Sequence, residues 1–406
     1  MVKASDLFRR WIKSTDARNR PASPIELLVL CALRYMGRGW TFDDLEESTG
    51  ISKEVIRVFF HQFIAFGSTV LYNKFIEAPT TAEQAADHTW EFTQAGFPGA
   101  IGSTDATHVM LEKVSHRMRQ AHLGFKMCHT ARTYNVTVNH RRRILSTTSG
   151  HPARWNDKTL VLFDTLANSL RDGSSLQDLE FELYDYDESG LVVTKKKYRG
   201  AWLLVDNGYL SWPVTVPPIK TTINRDEIRF SSWLESMRKD VECTFGILKG
   251  RWRILKAGIR LHGTEAADKI WLTCCALHNW LLTVDGLDEK WQDGVASDWE
   301  GSLGLHEQYP TALQHLMSPE ACRNYDAAKY HRAAGIHDRD NYDEDSDPTS
   351  THRGRESLDE TGATPVKDLS LDFFRSKLIR HFAIAYGKHE ISWPARHRCD
   401  EPVVNM

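Results

Sequence analysis

Apolar positions along this 406-residue chain change their period several times, and each change marks a different kind of element. The run "IELLVLCALRYM", 25–36, is too short to span a bilayer and suits a core helix. Next comes "TFDDLEESTGISKEVIRVFFHQF", in which Thr41 and Asp44 have the form of a capping box and Gly50 supplies a turn. Ser52 can then cap a second helix, with Ile51, Val55, Phe59 and Phe63 at i+4 spacing. Helix, short Gly-containing turn, helix is the outline of a helix-turn-helix, and equally of an ordinary αα-hairpin packed on the main body. On the second helix Lys53, Arg57 and His61 would form a weak basic face.

From about 98 to 150 the pattern turns to strands. "TDATHVMLEKV", "TYNVTVNH" and "RRILSTTSG" are rich in Val, Thr and Ile with partial alternation. A helical stretch, "NDKTLVLFDTLANSLRDG", follows, and "AWLLVDNGYL", 201–210, reads as a strand buried on both faces. After an extended "WPVTVPP", the stretch "RKDVECTFGILKGRWRIL", 238–255, returns to helical spacing. Its apolar stripe is Val241, Phe245, Leu248 and Trp252. Another helix spans 265–283. This alternation predicts an α/β sheet domain.

The spacing divides the chain into a helical region over 1–95, a sheet domain over 96–285 and a helical extension over 286–337. Residues 338–366 read as a disordered acidic linker, and 367–406 as a C-terminal helix and tail with Phe374, Leu378 and Phe382 in register.

Composition narrows the class. At 41% hydrophobic and 10% aromatic the chain is globular, and a formal net charge of −3 confines any nucleic-acid surface to local patches. Seven cysteines without a C-x-x-C argue against a disulfide framework or a zinc ribbon. Cys274, Cys275 and His278 sit together, but in what reads as a buried helix. No signal peptide is expected, because Arg9, Arg10 and Lys13 crowd the start, and a soluble intracellular protein with no membrane partner follows as the expectation.

Three acids carry the candidate chemistry. Glu242 lies at the edge of its helix's apolar stripe, with Arg238, Gly246 and Lys249 on its own face. Arg238–Glu242 could be no more than an exposed i,i+4 pair. Gly246 costs the helix roughly 1 kcal/mol against Ala and leaves room beside the carboxylate. Asp206 follows four apolar residues at the end of the buried strand, where α/β sheets place binding groups. Asp105, in "IGSTDATHV", reads as a strand–turn position. Oxygen ligands from three separate elements suit Mg²⁺ or Mn²⁺, and two such ions roughly 4 Å apart can clamp both the attacking and the leaving oxygen of a phosphodiester. Arg238 and Lys249 would then lie near substrate phosphates. Asp157 and Asp164 rank behind the three acids, as surface or supporting groups, and His108 reads as a satisfied polar group on its strand.

Four stretches in order, "STDATHV", "LLVDNGY", "RKDVECTFGILKGRW" and "ALHNWL", resemble the motifs of the PIF/Harbinger transposases, which are eukaryotic DDE-superfamily endonucleases. The resemblance covers roughly 98–283 closely and the N-terminal helices loosely. It implies an RNase H-like mixed sheet flanked by helices, with a helix-turn-helix-like region before it and helical additions after it. It also implies that Asp105, Asp206 and Glu242 are the catalytic, metal-binding triad for Mg²⁺ or Mn²⁺, making a hydrolytic cut whose 3′-hydroxyl then attacks target DNA. A Myb-like partner protein, a homo-oligomer on DNA and a nuclear location (cytoplasmic without the partner) belong to the same implication. One position departs from the family: Asp-Gly-Thr-His is here Asp-Ala-Thr-His, and Ala106 would be restricted if the turn needs positive φ. A domesticated, non-cleaving relative that binds DNA or a protein is the alternative reading. The densest basic clusters, Arg141, Arg142 and Arg143 with Lys195, Lys196 and Lys197, together with Arg238, Lys249 and Arg251, offer a path for DNA. Such clusters also occur as plain solvated faces, and "KKKYR" could be a nuclear localisation signal.

Overall fold

The strand-patterned segment forms the middle of a mixed sheet. The structure is a computed structural model that describes residues 1–12, 15, 19, 22–124, 129–187, 190, 192–285 and 362–392. Helices α1 (Ile25–Arg38), α2 (Phe42–Thr49), α3 (Lys53–Phe66), α4 (Tyr72–Phe75) and α5 (Ala82–Gln94) come first. Strands β1 (Ala100–Met110), β2 (Ala131–Val138), β3 (Ile144–Thr147) and β4 (His151–Pro152) follow, with α6 (His116–His122) between β1 and β2. The short helices α7 (Asp157–Val161) and α8 (Thr165–Asp172) precede the hairpin of β5 (Glu180–Tyr186) and β6 (Val193–Arg199). Then come β7 (Trp202–Leu204), β8 (Thr215–Val216), α9 (Arg225–Arg251), α10 (Arg253–Ala257) and α11 (Thr264–Val284). Beyond residue 361 lie β9 (Thr364–Pro365) and α12 (Leu371–Gly387).

The main sheet runs β3-β2-β1-β7-β8, with β4 beside β2. β1 pairs antiparallel with β2 and parallel with β7, which is parallel to β8. All three residues of β7 are fully buried, as expected of a strand covered on both faces. This mixed sheet flanked by helices is consistent with an RNase H-like fold. The hairpin makes a second sheet, β5-β6-β9, in which Thr364–Pro365 lies parallel to β6. The described residues 362–366 of the expected linker are therefore ordered, with Thr364–Pro365 in a strand. The expected helical extension, the rest of the linker and the last residues of the tail fall outside the described residues.

Helix α9 ties the two apolar cores together. Its first half, Phe230, Leu234 and Met237, packs with α12, β7 and β8. Its second half, Val241, Phe245 and Leu248, packs with the N-terminal helices, α10 and α11. The stripe read from the sequence is buried as expected, as are Phe374, Leu378 and Phe382 of α12. In the N-terminal region Thr41 and Asp44 complete a reciprocal capping box, and Gly50 ends α2 at φ 68°. The buried side of α3 starts from Ile56 rather than Val55, which is exposed. Of the expected basic face, Lys53 pairs with Asp43 and Arg57 with Glu54, while His61 is partly buried. The outline of two helices and a turn is present, but its positive charges are matched locally. By length and composition Lys53–Phe75 could cross a membrane, yet Phe59, Phe60, Phe63 and Ile64 within it are core residues.

Candidate active site

Asp105 lies in the middle of β1, not at a turn, opposite Val136 of β2. Ala106 is therefore an ordinary extended residue paired with Asn135, and it is absent from the positive-φ positions of the chain. The departure from glycine leaves Asp105 in place, and the Ala106 N–H donates to Asp105 Oδ1 at 2.8 Å. Asp206 sits two residues past β7 and is exposed. Glu242 faces out from α9 with its side chain 48% exposed.

One cation joins two of these acids. Arg238 Nη1 donates to Asp105 Oδ2 at 2.9 Å, and Nη2 donates to Glu242 Oε1 at 2.7 Å. The i,i+4 pair read from the sequence is real, but only its Glu242 side is well exposed. The Arg238 side chain is only 14% exposed, and the charges of Asp105, Glu242 and Asp206 together outweigh its burial and raise its pKa. Burial pushes the Asp105 carboxyl up to about 6, opposed by Arg238 and reinforced by Asp157 and Asp206. Two turns beyond Glu242, Lys249 Nζ donates to Thr107 Oγ1 at 2.8 Å, and burial lowers its pKa.

A fourth carboxylate enters here. Asp157, the first residue of α7, comes so close to the Asp206 turn that a Cβ on Gly208 would lie 2.7 Å from its Oδ2. Its sequence context, "RWND", is that of an Asn156-capped helix start, which gave no sign of this approach. Asp164, by contrast, is a fully buried cap of α8 that also accepts from Asn135 Nδ2 at 2.6 Å. Tyr209 donates to the same Asn135 at 2.5 Å, bracing the turn after Asp206. His108 bonds Thr133 Oγ1 at 2.7 Å through Nδ1, as a satisfied strand group would.

Among the described residues no three His, Cys, Asp or Glu side chains stand close enough to hold a metal ion as they are. The donor chemistry nonetheless fits a hard divalent cation: the acids are oxygen ligands from β1, the β7 end and α9. Burial and neighbouring negative charge also disfavour ionisation of Asp105, and a cation would relieve that. Asp105, Asp206 and Glu242 are the residues that would hold it.

Part of the expected DNA-facing set turns inward. Arg142 is 5% exposed, lies 3.8 Å from Asp240 and adopts φ 61°, while its carbonyl meets His278 Nε2 at 2.9 Å. Arg141 pairs with the buried Glu91 at 2.5 Å, and Arg143 reaches Thr283 Oγ1 at 3.2 Å. These arginines fasten the β2–β3 turn to α5, α9 and α11, so much of the charge read from "NHRRR" is engaged within the chain. Asn279, beside His278 in "ALHNWL", bonds both the N–H and the carbonyl of Ile144, so this motif is a structural clamp. Lys195 pairs with Glu182 and Lys196 with Asp185, whereas Lys197 is exposed on β6. Arg251 is partly buried at the end of α9. Cys274 and Cys275 are fully buried thiols whose pKa values burial drives far up.

Residues 104–279 match the DDE superfamily endonuclease family. Over 299 residues the chain is 24% identical to "Putative nuclease HARBI1" of Xenopus laevis, covering 72% of this chain and 77% of that protein. The proteins of the same name from Rattus norvegicus and Mus musculus are each 23% identical, over 68% and 71% of this chain and 72% and 76% of their own lengths. No solved structure matches the chain. The matched segment begins one residue before Asp105, ends at the Asn279 clamp and contains all three acids, so the similarity to the DDE superfamily endonucleases falls on the part of the chain that carries the candidate site.

Proposed function

We propose that this chain is a divalent-metal-dependent DNA endonuclease of the PIF/Harbinger type, cutting phosphodiester bonds at transposon ends and joining the 3′-hydroxyl to target DNA. The observation that carries the reading is the meeting of Asp105 and Glu242, from separate elements, on one buried cationic position that Asp206 also influences. Bound Mg²⁺ or Mn²⁺ would polarise the scissile phosphate and lower the pKa of an attacking water. The chain's own part is to hold three carboxylates on a rigid strand, a strand end and a helix. It also sets Lys249 on the Glu242 face, where an ammonium can meet a phosphate oxygen.

The test is incubation of the full chain with plasmid or transposon-end DNA and Mg²⁺ or Mn²⁺. Asp105→Ala, Asp206→Ala and Glu242→Ala should each abolish cutting while leaving the protein folded. Cutting by all three at the parent's rate would remove the assignment. The same reading makes DNA the partner, a homo-oligomer the working form on two ends, and the nucleus the site of action, reached with a Myb-like partner. Sedimentation with end DNA and imaging of a fluorescent fusion test these points. A second reading, a domesticated binding protein that does not cut, is favoured by one observation: Arg238 occupies the space between Asp105 and Glu242. Its mark would be DNA binding without Mn²⁺ binding.

A further inference from the structure

Arg238 stands where the proposed reading needs a metal ion, and its contacts suit a temporary occupant. Its two terminal nitrogens hold Asp105 and Glu242, which belong to β1 and α9, and Asp206 also acts on it. Its Nε is buried and, among the described residues, has no hydrogen-bond partner, so the guanidinium is an incompletely satisfied clamp. A planar guanidinium spaces two carboxylates widely, whereas Mg²⁺ draws its oxygens to about 2.1 Å. Among the described residues no three ligands are gathered ready for a metal, and Asp105 and Glu242 are held by the guanidinium instead.

We propose that Arg238 is a displaceable stand-in for the divalent cation: it holds Asp105 and Glu242 until metal arrives, then yields them and turns to a DNA phosphate. This rests on the metal reading above and adds to it an ordered exchange. Without a cation, Asp105, Asp157 and Asp206 would repel one another beneath partial burial. With Arg238 in place, the site keeps its shape. After exchange the guanidinium remains on the α9 face that carries Lys249, and a guanidinium suits bidentate phosphate contact. Arg238 is thus a positioning residue before metal binds and a phosphate contact afterwards.

The test is calorimetric titration of the full chain with Mn²⁺ alone, beside thermal unfolding in chelator. If Arg238 competes with the ion, Arg238→Ala binds Mn²⁺ about tenfold tighter or more. Arg238→Lys, which keeps the charge but loses the planar fork that spans the two acids, falls between the two. Lys249→Ala removes a neighbouring positive charge that bridges no carboxylate, and its affinity stays within about threefold of the parent's. In chelator Arg238→Ala melts lower than the parent, and Mn²⁺ restores it. Should that variant not fold without metal, Arg238→Lys and the neutral Arg238→Gln carry the same comparison. Equal or weaker Mn²⁺ binding by Arg238→Ala, or equal tightening by Lys249→Ala, overturns the exchange while leaving the metal reading standing. Absence of Mn²⁺ binding by parent and variants alike overturns the metal reading itself.

Discussion

At the scale of single residues, the sequence singled out three acids and ranked Asp157 behind them, and the fold brings Asp157 up to the Asp206 turn. Asp206 and Glu242 stood out as acids beside apolar residues and Asp105 as an acid in a strand-patterned stretch, and the family resemblance groups the three. Asp157 ranked lower, because its neighbours spell an ordinary helix start and only the folded chain brings α7 against the Asp206 turn. Gly208 makes that approach possible. Its φ is not positive, so alanine meets no backbone strain there, but the added Cβ would sit 2.7 Å from Asp157 Oδ2 and 3.5 Å from its Cβ. Gly208→Ala should therefore push Asp157 aside. We expect cleavage to fall by about tenfold, the consequence of misplacing a supporting group by a fraction of an ångström to an ångström. Asp157→Asn should fall similarly, and less than any of the triad variants. Single-turnover cleavage beside a thermal melt separates this from simple unfolding. An unchanged rate in both would make Asp157 a bystander.

At the scale of elements, helices were read well and partners poorly. α1, the capped start of α2, α9 and α12 follow from 3.6-residue periodicity and local caps, which lie within a few residues of one another. The hairpin β5–β6 was missed because β6, "VTKKKYR", is largely charged with Tyr198 as its one buried side chain, and its third strand comes from residues 364–365, far along the chain. The inward turn of Arg141 and Arg142 was illegible for the same reason: their acids, Glu91 and Asp240, are distant in sequence. Gly246 allows a test within one helix. A Cβ there meets nothing within 4 Å, so Gly246→Ala should stabilise α9 by about 1 kcal/mol and raise the melting temperature by a few degrees. If open space on the Glu242 face admits DNA, the same variant cuts more slowly while melting higher. A variant that melts higher and cuts at the parent's rate would show that substrate does not pass over this turn.

At the scale of the whole molecule, the two cores that meet along α9 each contain a buried histidine that stays neutral. His278 on α11 bonds the Arg142 carbonyl at 2.9 Å, fastening the β2–β3 turn. His381 on α12 accepts the Tyr184 N–H through Nδ1 at 3.0 Å, fastening the hairpin. Burial pushes both from the ordinary 6.5 down to about 4. Between those values the unfolded chain binds protons that the folded chain refuses, so stability is full above about pH 6.5 and falls as pH drops towards 4. Each histidine contributes a loss of up to about 3 kcal/mol over that window. Protonating His381 also removes the acceptor that holds β5 to α12, so the loss reaches the second core as well as the first. Melting temperature followed from pH 7.5 to 4.5 should decline steeply. His381→Gln, whose amide oxygen can still accept the Tyr184 N–H, should flatten the decline while costing some stability at neutral pH. Parent and variant curves of equal slope would place the acid sensitivity elsewhere.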